Sequence, residues 1–159
     1  MQLSGQIAKH FREVFFGGNW TAVNLRDTLK DINWEQATRK VPSCNTITAL
    51  VYHINYYVSS VLKVLRGEPL NAHDKYSFDH PTIQSQDDWE TLVIKTLSEA
   101  EQFADLIEKM PDNKFGETFA DEKYGTYYRN LHGIIEHTHY HLGQIVIIKK
   151  IVASQKQES

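Results

Sequence analysis

The sequence has a single cysteine, Cys44, in 159 residues. One thiol cannot close an internal disulfide, which excludes a disulfide-stapled fold and suits a reducing, cytoplasmic setting. Proline is scarce too, with four in the chain, so long segments run without the residue that breaks helices. No stretch comes near the ~20 consecutive apolar residues of a membrane span. The opening Met1-Gln2-Leu3-Ser4-Gly5 lacks the basic start and apolar run of a secretion signal. No one sign of charge dominates: 17 basic and 20 acidic residues, mixed along the chain, leave a net charge of −3. That gives no basic footprint for nucleic acid and no polybasic patch for anionic lipid. The length suits one domain, residues 1–159, burying roughly 70% of the surface its unfolded chain exposes.

What is there is helical pattern. Leu3, Ile7, Phe11, Val14 and Phe15 recur at helical spacing until Gly17-Gly18 interrupts them. Asn19 is then a suitable cap for a segment running to about Leu29, so the glycines either kink one helix or separate two. A second helix is expected from about Thr46 to Arg66, capped by Asn45 or Ser43 and ended by Gly67 and Pro69. A third runs from about Gln86 to Lys109. Ser85 caps it, Asp87 and Asp88 suit its positive end, and Pro111 follows it. A fourth runs from about Thr126 to Ala153, and Gln155 to Ser159 read as a solvated tail. Residues 67 to 85 carry no periodicity. Fully extended, they reach about 60 Å, twice the ~30 Å length of the helices they join. The link can therefore cross the bundle and leave helices two and three parallel, and its segment Asn71 to Tyr76 can cover one end.

Histidine is plentiful, with eight in the chain. His137 and His141 are four apart, on one helical face about 6 Å apart along the axis, in a stripe that continues through Ile134, Ile145 and Ile148. That spacing lets two imidazoles meet one ion. It also suits two core histidines with hydrogen-bonded rings. An apolar stripe favours the ion, which satisfies two groups that otherwise each need a partner. His139 lies about 200° around the helix from His137 and belongs to another face, as does His132. His53 sits inside the apolar second helix. If that helix and the fourth are antiparallel, all three fall at one depth; a core histidine bonded to a neighbouring tyrosine is the alternative.

Around these three, Gln144 can orient a ligand from behind or be a core-edge amide. Tyr56 and Tyr57 can reach the site from one turn beyond His53, or simply pack. Asn130 shares the stripe of His137 or serves as a cap, and Glu136 points to a different face. Cys44 lies at the positive end of the second helix but has no partner motif, and is read as inert. Gly17-Gly18 is a helix break and not a phosphate loop.

The run His137-Thr138-His139-Tyr140-His141-Leu142-Gly143-Gln144 resembles the C-terminal histidine motif of the DinB/YfiT-like superfamily: His, three residues, His, one residue, then Gly-Gln. His53 falls where that family places its first histidine, and length and helix order are similar. Leu142 stands where many members have Arg, and Tyr140 where some have a further His. The resemblance implies an all-α, up-down-down-up four-helix bundle with a long crossover between helices two and three. It implies a divalent metal held by His53, His137 and His141, with Zn and Ni leading and Fe, Cu and Mn compatible. It further implies a thiol-dependent S-transferase using a low-molecular-weight thiol, with metal-dependent hydrolysis or a non-catalytic metal-binding or stress-response role as alternatives. Together with aromatic residues outside the core stripes, it suggests a homodimer. No nucleic-acid or membrane partner is expected.

Overall fold

The computed structural model describes residues 2–155. Among them are six α-helices and no strand: α1 (Leu3–Phe16), α2 (Leu25–Leu29), α3 (Trp34–Thr38), α4 (Ile47–Leu65), α5 (Gln86–Glu108) and α6 (Tyr127–Gln155). The fold is all-α. Its four long helices, α1, α4, α5 and α6, stand where the apolar periodicity placed them. Gln155 is the last residue of α6, and residues 156–159 of the expected tail lie outside the described residues.

The helix ends follow local chemistry. Gly17 stops α1 with φ +113°, a backbone conformation that costs glycine nothing. The glycine pair therefore separates two helices. Asn19 does not cap the second of these. Its buried side-chain amide instead donates to the carbonyls of Glu13 and Val23, 2.7 Å each, and fastens the loop. Asn24 caps α2, accepting from the Asp27 N–H at 2.9 Å. For α4 the cap is Thr46, one residue beyond Asn45, with its hydroxyl accepting from Ala49 at 3.1 Å. Ser85 caps α5 as expected. The short α3 has no apolar stripe, but its Asn33–Gln36 capping box satisfies two otherwise orphaned N–H groups.

Packing fixes which helices meet. The Phe11 ring of α1 lies 4.6 Å from Phe103 of α5, both fully buried. Beside them Arg12 donates to Glu101, Asp105 and Glu108 at 2.8, 2.5 and 2.7 Å. The first N–H groups of α1, on Leu3 and Ser4, reach Asp112 just past the end of α5. These two helices thus run in opposite senses. Asn55 donates to Glu99 and Arg66 to Gln102, so the contacts between α4 and α5 advance together.

The link after α4 turns back along it. Tyr56 pairs with the backbone of His73, Tyr57 with Asp74, and Ser77 reaches the level of His53. No helix among the described residues is long and apolar enough to cross a membrane.

Candidate metal centre

His53 projects from the buried face of α4, next to Leu50 and Ile54. His137 and His141 project from α6 beside Ile134, Thr138 and Ile145. Thr138 is tolerated in that apolar row because its buried hydroxyl donates to the Ile134 carbonyl at 2.7 Å. The two helices run in opposite senses here, since His53 faces His141 while Tyr57, one turn on, faces His137. That opposition brings the three histidines to one depth.

Their Nε2 atoms converge. His137 Nε2 stands 3.0 Å from His53 Nε2 and 3.1 Å from His141 Nε2. Among the described residues these three form a group whose ligand atoms all lie within 4.8 Å of one another. The far sides of two rings are tied. His53 Nδ1–H donates to the Ser77 carbonyl at 3.3 Å, and His141 Nδ1–H donates to Gln144 Oε1 at 2.7 Å. A neutral imidazole has one N–H, so the Nε2 atoms of His53 and His141 carry lone pairs. His137 has at most one proton to place between them. At least one close contact between lone pairs therefore remains among largely buried rings. His137 Nδ1 is itself buried without a hydrogen-bond partner.

A cation fits this donor set. Tetrahedral Zn–N bonds of about 2.0–2.1 Å put nitrogens about 3.3 Å apart, close to the spacing seen. The electrostatics agree. Burial first, then His141 and His53, hold the His137 imidazole down at about 4. Burial likewise lowers His53, although Ser77 and Asp74 pull the other way. Both rings are therefore neutral near pH 7, as a metal ligand must be.

The surroundings hold the cluster still. The Phe78 ring stacks on His53 at 4.0 Å and 9°. Tyr57 meets His53 and His137 edge-on at 5.1 and 4.9 Å, and its hydroxyl donates to Asp74 at 2.8 Å. On the other side His137 opens on a cavity of about 520 Å³ that Tyr57, Asp74, Arg129, Gly133 and Glu136 also line.

Of the residues singled out in the sequence, the three histidines and Gln144 come together. Tyr57 joins them, while Tyr56 holds the backbone of His73. Asn130 donates to the carbonyls of Tyr124 and Thr126 and lines the cavity. Glu136 is exposed at that cavity, and Cys44 is exposed outside the cluster. His139 faces His10 instead, with ring centroids 6.3 Å apart. Sequence reading missed Ser77 and Phe78. They touch the site only because the link after α4 folds back on it, and neither residue belongs to a metal-ligating type.

No curated protein and no solved structure matches the chain. The model of the DinB superfamily matches residues 19–145, a span that holds all three clustered histidines and the Gly-Gln pair after them. With most of its length matched and its histidines assembled at one point, the chain belongs to the DinB superfamily.

Proposed function

We propose that this chain is a metal-dependent enzyme that activates a low-molecular-weight thiol for S-transfer, with His53, His137 and His141 as the protein ligands of one divalent ion, zinc or nickel first. The observation that carries the reading is the meeting of three Nε2 atoms with too few protons to satisfy them. A divalent ion held by these three imidazoles would supply a Lewis acid with a position left for a thiol or a water, and would ease the loss of that ligand's proton.

The rest is the work of the chain. The Ser77 carbonyl and the Gln144 amide fix the rings of His53 and His141. Phe78 covers His53 and restricts water. Burial raises the Tyr57 phenol above its ordinary value, so it stays protonated and keeps its bond to Asp74.

Metal-assisted hydrolysis is the second reading. It draws on Asp74 and Glu136, two carboxylates in the same cavity that can take a proton from water. A homodimer and a cytoplasmic location belong to the proposal as well. Exposed Tyr128 and Tyr140 support the first, and sedimentation at micromolar concentration tests it.

The test of function begins with metal analysis of protein purified without a histidine tag, where about one ion per chain is expected. The cobalt-substituted protein is then titrated with small thiols, and a thiolate-to-metal absorption band is expected. Metal bound with no band at any thiol concentration overturns thiol transfer and leaves hydrolysis or a non-catalytic role.

A further inference from the structure

The cavity beside His137 has a direction. Arg129, Gly133 and His137 are spaced four apart on α6, so they form one stripe, about 12 Å from end to end at about 1.5 Å per residue. All three line the cavity. Gly133 lies well inside the helix, where glycine costs about 1 kcal/mol relative to alanine. Packing does not demand it: a Cβ there would meet nothing within 4 Å. The missing side chain keeps open the middle of the cavity floor.

Charge is segregated along the same line. At the histidine end are the carboxylates of Asp74 and of Glu136, the neighbour of His137 in sequence. Asp74 is already engaged by the Tyr57 hydroxyl. At the other end are Lys123 and Arg129, and no carboxylate among the described residues forms an ion pair with either. The segment before α6 passes close to Arg129. Phe119 N–H donates to the Gly125 carbonyl at 2.8 Å, which folds this segment back on itself. Gly125, at φ +74°, lies so close that a Cβ on it would stand 3.1 Å from Arg129 Cδ. The wall also carries apolar side chains, Val61, Leu70, Phe119 and Ile134, beside the polar Ser60 and Asn130. A volume of about 520 Å³ falls within the ~300–1,000 Å³ range of small-molecule sites.

We infer that this cavity receives a small molecule with an apolar body and an anionic end group, the reacting end lying at His137 and the anion at Arg129 and Lys123, with Gly133 as the floor that admits it. The inference rests on the reading of the three histidines as a metal centre, and it adds the class of molecule that reacts there. The carboxylates beside His137 repel an anion and suit the cationic centre, so the acid end is directed to the far pole. A guanidinium and a carboxylate form a charge-assisted pair, which is stronger than a hydroxyl contact at the same place.

The experiment compares two probes of equal length, 6-mercaptohexanoate and 6-mercaptohexan-1-ol, titrated into the cobalt-substituted protein and followed by the thiolate band. The acid is expected to bind about tenfold more tightly than the alcohol, a difference of about 1.4 kcal/mol. Arg129→Gln, an exposed substitution, should bring the two probes within about twofold of each other while cobalt content stays unchanged, because only the charge-assisted contact is lost. Gly133→Leu should weaken both probes about tenfold or more by filling the floor, again with cobalt retained.

Equal binding of the two probes by the unmodified protein, or an acid preference that survives Arg129→Gln, overturns the inference and leaves the metal centre standing. If cobalt binds and neither probe gives a band, thiol activation fails. Hexanoate and hexan-1-ol are then compared on the metal-free protein by thermal shift. A preference for hexanoate that Arg129→Gln removes supports the anionic pole, and its absence overturns it.

Discussion

The Oε1 atom of Gln144 takes the Nδ1–H of His141 at 2.7 Å from one turn further along α6. That bond selects the tautomer that leaves His141 Nε2 free to face His137 and His53. Removing such a partner costs roughly 10–100-fold in metal affinity in other sites. Gln144→Leu should lose affinity on that scale, and Gln144→Glu, which still accepts from Nδ1, should keep most of it. Competition against a chromophoric chelator measures both. Equal affinity in Gln144→Leu and the unmodified chain would show that this bond does not orient the ligand.

Replacing any one of His53, His137 and His141 with alanine should weaken metal binding about tenfold or more, because each supplies one of three ligands. His139→Ala should leave binding unchanged, since its ring faces His10 on another side of α6. Metal content after dialysis separates the four variants. A chain that keeps its ion without His137 and loses it without His139 would reverse the assignment of faces.

The long helices and the histidine pair were legible because both are matters of period: apolar residues at helical spacing, and two imidazoles four apart. His53 could be placed only through the opposed course of α4 and α6 and the family motif, and the structure brings it within 3.0 Å of His137. Helix starts were less legible. Asn19 and Asn24 are equally good caps by type, and the choice fell to Asn24 because Asn19 is spent on the carbonyls of Glu13 and Val23. Ser77 and Phe78 were not legible at all. Their role comes from a contact 24 residues away in sequence, made by a segment with no periodicity.

Phe78 itself offers a test. Its ring lies flat on His53, although 40% of the residue is exposed. Such ring pairs contribute about 0.5–1.5 kcal/mol beyond the area they bury. Phe78→Ala should therefore leave the helices intact and release the ion to a chelator up to about tenfold faster, while Phe78→Tyr restores the slower rate. Circular dichroism and stopped-flow chelation read the two effects. An unchanged release rate in Phe78→Ala would mean that the stack does not guard the cluster.

The acid response follows from His137. Its imidazole is held at about 4, mainly by burial and then by His141 and His53, against about 6.5 in an unfolded chain. Between these values the unfolded chain binds a proton that the folded, metal-free chain does not. Stability therefore rises with pH across this window and is lost as pH falls from about 6.5 toward 4. The gap sets an upper bound of about 3 kcal/mol from this one group, reduced by the solvent screening that its partial exposure allows. His53 shifts in the same direction and adds to the loss. Protons also compete with the ion for these rings. Because His53 and His137 are both held below the ordinary value, metal retention should persist below the pH of about 6.5 expected for free imidazole. Urea unfolding of the metal-free chain at pH 7, 6 and 5 should show a falling midpoint, and His137→Gln should flatten that fall. A midpoint that stays constant from pH 7 to pH 5 would show that His137 takes up its proton in the folded chain as readily as in the unfolded one, and that burial does not hold the ring neutral.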